Sequence, residues 1–196
     1  MKERTTKILG AILLVFFIGY LSVTGIMDLT NKKDLITIKA DAAVKVLEVE
    51  HSINGLIPMG KDHYYAAVDE KGEMYLLKAS KSWYKKNFDP ATYEARGDVT
   101  VTALNKRIDD YEIREEIEDR IAKMEGITRG QDAGYCIMLD YKINAIIKLA
   151  VVISALILTI MVIYIKKKNG EVGKGFMTFV VITAFIFGIC ILMVIE

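Results

Sequence analysis

Three long uncharged runs dominate the pattern of hydrophobic and polar residues along the chain. They cover 8–27, 149–165 and 175–195, with 20, 17 and 21 residues, and the second extends back to 143 if Lys148 is included. A bilayer core about 30 Å thick needs roughly 20 apolar residues in a helix, and a helix satisfies its own backbone hydrogen bonds in hydrocarbon. The pattern predicts a membrane protein with three transmembrane helices, at 8–27, 143–165 and 175–195.

Basic residues predict the orientation of these helices. The segment 1–7 contains three cationic residues, and the segment 166–174 contains four lysines. Short basic segments stay in the cytoplasm, so we expect both there, with 28–142 and the C-terminus outside. The prediction is a multi-pass protein, and the absence of Asn-x-Ser/Thr favours a bacterial plasma membrane. The alternative, that the first run is a cleaved signal peptide, is disfavoured by its length and its lack of an A-x-A site.

Shorter patterns between the first two runs predict a small α+β domain. Alternating or β-branched segments predict strands at 44–49, 64–68, 74–79, 98–104 and 135–139. The segment 69–73 contains Gly72 and predicts a hairpin turn, and further turns are predicted at Asn54-Gly55 and at 58–60.

Two helices are predicted inside this domain. The first is short, 80–87, with Ser80 as a possible N-cap. The second covers about 111–125, with Asp109 or Asp110 as the cap, an apolar stripe that includes Ile117, and Gly126 at its end. The predicted fold is therefore a three-helix membrane protein with an extracytoplasmic α+β domain, built as a β-rich sheet or partial barrel plus one amphipathic helix.

Charge and cysteine content add two constraints. Residues 28–143 contain 18 basic and 22 acidic side chains, although the whole chain has a net charge of +1. A net acidic domain makes nucleic acid an unfavourable ligand. The two cysteines lie in the domain (Cys136) and in the third run (Cys190), so we expect no disulfide between them.

The candidates for chemistry are few, and each has a simpler structural interpretation. A metal site needs three or four converging ligands, and His51 and His63 are the only histidines. The favoured interpretation is that each is an ordinary surface or core residue. Ser80 and Ser82 flank Lys81, but a Ser–Lys dyad needs a lysine that arrives from elsewhere in the fold. The glycine-rich segment 170–175 lacks phosphate-loop spacing. We therefore predict no catalytic residue, no metal site and no cofactor.

Two groups of residues are candidates for interaction. Lys148 interrupts an apolar segment, where an ionisable residue is a functional candidate; the favoured alternative is that its ammonium reaches the headgroups. Lys78, Lys81, Lys85 and Lys86 surround Trp83, a combination suited to an anionic surface. The favoured alternative here is a helix whose aromatic side chains enter the core while its lysines face water.

Small residues four positions apart predict close helix contacts. They occur as Ala150 with Ser154 and as Ala184 with Gly188. Such faces allow helices to approach closely, within the chain or with a partner protein or a second copy.

The chain also shows two resemblances. The segments 55–65, 69–72 and 82–88 resemble uncharacterised three-span membrane proteins of Gram-positive bacteria, a resemblance that implies no activity and no functional residues. The order of the predicted strands is similar to a small barrel of the oligonucleotide-binding type.

These observations leave two hypotheses for function. The first is a non-enzymatic membrane protein whose outer domain binds a protein, lipid or envelope component and assembles with other subunits. The second is a membrane-anchored hydrolase of the envelope that uses Ser80 or Ser82 as nucleophile.

Overall fold

The computed structural model describes residues 2–53, 57–124, 126, 128–169 and 180. The described elements are α1 (Lys2–Thr30), β1 (Leu35–Ile53), β2 (Ile57–Asp69), β3 (Glu73–Lys78), α2 (Lys81–Asn87), β4 (Glu94–Arg107), α3 (Tyr111–Ala122), β5 (Thr128–Arg129), β6 (Tyr135–Met138) and α4 (Tyr141–Asn169). They divide into two compact units. The barrel unit is Asn31–Tyr141, and the helical unit contains α1 together with the chain from Lys142 onward.

Five strands of the barrel unit close into a ring. β1 pairs with β2 and β4, β2 also pairs with β3, and β6 joins β4 to β3. All of these pairings are antiparallel except that of β3 with β6. Closure removes the unpaired edges of an open sheet, and a five-stranded barrel is the architecture of the oligonucleotide-binding fold. The two-residue strand β5 pairs with the start of β3, outside the ring.

Alternation along the strands separates two apolar clusters. One fills the barrel with residues from every strand of the ring, among them Ala40, Tyr65, Leu77, Ala103 and Ile137, all at most 1% exposed. Helix α2 adds Tyr84 and Phe88 to this cluster, and the Tyr84 hydroxyl donates to the carbonyl of Ala43 at 2.9 Å. The second cluster lies on the other face of the same strands and includes Tyr64, Leu76, Cys136 and two residues of α3, Ile117 and Ile121.

Most predicted elements of the domain are observed. The 69–73 hairpin joins β2 to β3 with Gly72 at φ +78°, and α2 and α3 begin after the caps Ser80 and Asp110. The strands at 44–49 and 98–104 are parts of the longer β1 and β4. The turn predicted at 58–60 is wrong, because those residues continue β2. The predicted turn at Asn54-Gly55 lies outside the described residues.

The predicted three-span architecture is wrong. Within the described residues, one helical segment, Tyr141–Lys168, is long and apolar enough to cross a membrane, and the apolar part of α1, Phe16–Thr30, is shorter. The described parts of the chain form an α+β structure with four helices and a six-stranded mixed sheet. The prediction used only the length and hydropathy of each uncharged run. These two properties do not distinguish a membrane-spanning helix from an apolar helix that packs on its neighbours. The predicted span at 175–195, with Ala184 and Gly188, lies outside the described residues except for Val180.

Candidate functional site

A two-stranded extension of the barrel contains several ion pairs between neighbouring side chains. β1 pairs with β4 only as far as Ala42, and β2 pairs with β3 only from Tyr64 onward. The pairing of β1 with β2 continues to Ile53 and Ile57. Residues 48–53 and 57–63 therefore pair with each other alone among the described strands, and we call them the charged ribbon. Successive side chains of the charged ribbon point to opposite faces, which defines two sites.

The first face holds a network of carboxylates and lysines. Glu48 is opposite His63 in the strand pairing, and its carboxylate lies 3.1 Å from the Lys61 ammonium and 3.3 Å from Nδ1 of His63. Lys45 also binds Glu48, and Lys61 also binds Glu50. The hydrogen bonds from Lys45 and then Lys61 lower the pKa of Glu48 to about 2. This carboxyl is therefore an anion at any physiological pH.

His63 lies where this network meets the barrel interior. Its side chain is 9% exposed, and its ring contacts that of Tyr65 with centroids 6.4 Å apart. Burial lowers the pKa of His63 below its usual 6.5, and the opposing charge of Glu48 offsets only part of that effect. The imidazole is therefore neutral at neutral pH.

The second face contains a buried lysine. The side chain of Lys78 is 8% exposed and its ammonium binds the carboxylate of Asp62. Nε2 of His51 lies 3.1 Å from the same carboxylate, and the ring of Tyr64 lies 5.9 Å from the Lys78 ammonium. Asp62 is two positions from Tyr64, the strand partner of Lys78, so the ion pair is a diagonal contact between neighbouring strands.

Burial makes the neighbouring phenol and thiol poor nucleophiles. It raises the pKa of Cys136 to about 12 and also raises the pKa of Tyr64, which lies in the same outer cluster. Cys136 is fully buried in the structure and is unpaired with another cysteine among the described residues. The thiol is a small buried apolar group, as the sequence indicates.

The structure separates the two histidines rather than joining them. Each lies beside a different carboxylate on a different face of the charged ribbon. Within the described chain, no group of three His, Cys, Asp or Glu side chains is arranged to hold a metal ion. The charged ribbon contains a set of charge-assisted hydrogen bonds. The side chains of Lys61 and Glu50 are the most exposed in this set, at 49% and 68%. Such groups can exchange intramolecular partners for those of a ligand.

The predicted interaction residues of α2 divide between surface and core. Lys81, Lys85 and Lys86 are exposed, whereas Trp83 is half-buried with its ring tilted against Phe88 at 5.8 Å. The aromatic side chains thus pack into the barrel and the lysines face solvent. Lys78, which sequence analysis grouped with these lysines, is buried against Asp62. The sequence contained a signal for the burial of Lys78. This lysine lies two residues after Leu76 in β3, so both side chains lie on the same apolar face of the strand.

Ser80 has a structural role at the start of α2. Its Oγ accepts a hydrogen bond from the Trp83 backbone N–H at 3.1 Å and lies 3.0 Å from Oγ of Ser82. Among the described hydrogen bonds, neither hydroxyl contacts a lysine or histidine. The geometry around Ser80 is that of a helix cap.

Lys148 is buried in the helical unit. Its ammonium lies 3.1 Å from Oδ2 of Asp28, and the two side chains are 12% and 11% exposed. Sequence analysis missed Asp28, although it is the first charge after the uncharged run of α1. Ala150 is exposed on α4 and Ser154 is half-buried.

No protein-family model matches the chain, and neither a curated protein nor a solved structure matches it. The function must therefore be inferred from the barrel, the charged ribbon and the apolar helices themselves.

Proposed function

We propose that the chain is a membrane-anchored, non-enzymatic binding protein of the bacterial envelope, whose barrel unit recognises a partner protein through the charged ribbon. The observation that carries this proposal is the extension of β1 and β2 beyond the ring with ion pairs on both faces. Binding residues are commonly placed on projecting segments held by a rigid scaffold.

Helix α4 supplies the anchor in this proposal. It is apolar over Tyr141–Lys168, and large apolar side chains are exposed along it, among them Ile146, Ile153, Ile157 and Ile160. Water would oppose exposure of so much contiguous apolar surface, whereas lipid tails would cover it.

The basic residues give the proposed orientation. α1 and α4 are antiparallel, because Asp28 near the end of α1 contacts Lys148 near the start of α4. The N-terminus of α1 and the lysines at the C-terminal end of α4 therefore lie toward the same end of the helix pair. By the positive-inside rule that end is cytoplasmic, so the barrel unit is placed on the outer side.

The charges of the ribbon define the chemistry of the partner. Lys61 and Glu50 present both signs within one hydrogen bond of each other, with side chains 49% and 68% exposed. A protein surface carrying its own carboxylates and ammonium groups can replace these contacts in kind. A polymer of uniform charge would satisfy only one of the two.

Crosslinked affinity purification from native membranes tests the proposal. The tagged full-length chain is compared with Lys61→Glu, which reverses a ribbon charge, and with Lys71→Glu, a matched reversal at an exposed residue of the β2–β3 turn. We expect a stoichiometric partner with the unmodified chain and with Lys71→Glu, and its loss with Lys61→Glu. Recovery of the chain alone, or equal recovery of the partner with both variants, would contradict the proposal.

A further inference from the structure

The end of α1 packs tightly against the beginning of α4. Leu21, Val151 and Val152 form a buried apolar cluster within the helical unit. A Cβ added to Gly25 would lie 3.2 Å from Cγ of Leu149 and 3.3 Å from the carbonyl oxygen of Ala145. Glycine therefore permits an approach that a larger residue would obstruct.

One ion pair is located at this contact. The Asp28 carboxylate and the Lys148 ammonium are both nearly buried, and 120 residues of chain separate them in sequence. A lysine that extends its ammonium to the headgroups would have an exposed charge. The observed side chain is 12% exposed and points at a carboxylate, so pairing rather than extension describes it.

A buried ion pair is sensitive to alignment. Removal or displacement of one member leaves the other charge buried without its partner, which is strongly unfavourable. A shift of α1 by one turn along α4 would move Asp28 by about 5.4 Å and break the contact. Such a shift would also move Gly25 away from Ala145 and Leu149, so the ion pair and the glycine contact favour the same register.

We propose that α1 remains attached as a permanent structural helix after membrane insertion, and that the Asp28–Lys148 ion pair fixes its register on α4. Cleavage beside Gly25 would remove Leu21 and expose Val151 and Val152. Asp28 lies shortly before the barrel unit begins at Asn31, and Lys148 lies shortly after it ends at Tyr141. The ion pair therefore joins the segments by which the chain enters and leaves the barrel unit.

Site-directed crosslinking of the full-length chain in phospholipid vesicles tests this inference. The chain carries an N-terminal tag, Cys136→Ala and Cys190→Ala, and two introduced thiols, Leu21→Cys and Val151→Cys. After treatment with a short bis-maleimide, cleavage at a protease site inserted after Gly72 leaves α1 and α4 on one fragment only if they are linked.

We expect the tag to be retained and the fragments to be linked in the parent chain. Asp28→Asn or Lys148→Met should lower the linked fraction at least about threefold, and the exchange Asp28→Lys with Lys148→Asp should restore it. Gly25→Leu should also lower it, whereas Gly19→Leu should not, since no atom of the described residues lies within 4 Å of a Cβ at Gly19.

Three results would overturn the inference: loss of the tag with α1, unchanged linkage in both single variants, or failure of the exchanged pair to restore linkage. Fluorescence of Trp83, the one tryptophan of the chain, reports whether the barrel unit of each variant is folded. Variants with altered emission are replaced by Lys148→Arg, which should retain linkage because it keeps the charge.

Discussion

Lys78 in the barrel unit and Lys148 in the helical unit are both buried lysines beside an aspartate, but different parts of the fold hold them in place. Lys78 and Asp62 are on neighbouring strands, where the backbone pairing of β2 with β3 sets their separation. Lys148 and Asp28 are on two helices that no backbone pairing joins, so the alignment of these helices depends on side-chain contacts, of which the ion pair is one. The comparison teaches that the same ion pair can follow from secondary structure in one place and help determine tertiary structure in another.

Breaking the Lys78 pair should have the largest effect. Lys78→Met leaves Asp62 without its buried partner, and we expect a loss of about 3–5 kcal/mol in the free energy of unfolding. Urea unfolding in detergent, followed by Trp83 fluorescence, measures it. Lys71→Met, at an exposed position of the β2–β3 turn, is the matched control and should change stability by less than about 0.5 kcal/mol.

The double variant Lys78→Met with Asp62→Leu should recover most of this loss, because replacing both charges leaves no uncompensated ion in the outer cluster. A double variant as unstable as Lys78→Met would show that the lysine stem, rather than the ion pair, provides the stability.

Acid should affect the barrel unit by a smaller amount, through His63 and Glu48 on the other face of the charged ribbon. Because burial lowers the pKa of His63, the unfolded chain takes up this proton first, near pH 6.5. The contribution of the neutral imidazole is therefore complete above pH 6.5 and is lost as pH falls from 6.5 toward the lowered pKa. Equilibrium unfolding between pH 8 and pH 3 measures this slope and the slope at lower pH.

Other charges that act on His63 must be considered in that experiment: Glu48, Lys45, Lys81 and Asp62. Glu48 has its pKa lowered to about 2 from 4.5, so its contribution is lost only as pH falls below about 4.5. His63→Gln should therefore flatten the slope near pH 6 and leave the slope below pH 4.5. An unchanged slope near pH 6 would assign it to another group.

The smallest effect concerns Ser80, which lies two residues after the end of β3. Ser80→Ala removes the N-cap of α2 and should cost about 1 kcal/mol in the free energy of unfolding. Ser82→Ala removes a hydroxyl that contacts only Ser80 among the described hydrogen bonds, and should cost less. Equal losses in the two variants would argue against the cap.

Local patterns predicted the hairpin, both domain helices and the positions of most strands. Gly72 supplies the positive φ of a tight turn, and the side chains of Ser80 and Asp110 satisfy N–H groups of their own helices. Each of these signals depends on residues within three or four positions of each other, so the sequence alone contains it. The extent of β1 was missed although residues 36–42 alternate between apolar and polar side chains, because this half is rich in alanine, which has a low strand propensity.

The candidate site was only partly predictable. Sequence analysis singled out His51, His63 and Lys148, but it assigned Lys78 to a surface group and did not consider Asp28. Whether a lysine is solvated or buried depends on what the rest of the fold places around it. That information lies in residues such as Asp62 and Asp28, whose proximity no spacing rule reveals.

The sequence by itself determined that this protein combines apolar helices with a charged α+β segment, because hydropathy and local turn signals act over a few residues. The tertiary structure alone decided that five strands close into a ring and that two lysines lie beside aspartates. Each of these depends on contacts between residues far apart in the chain, which the fold brings together.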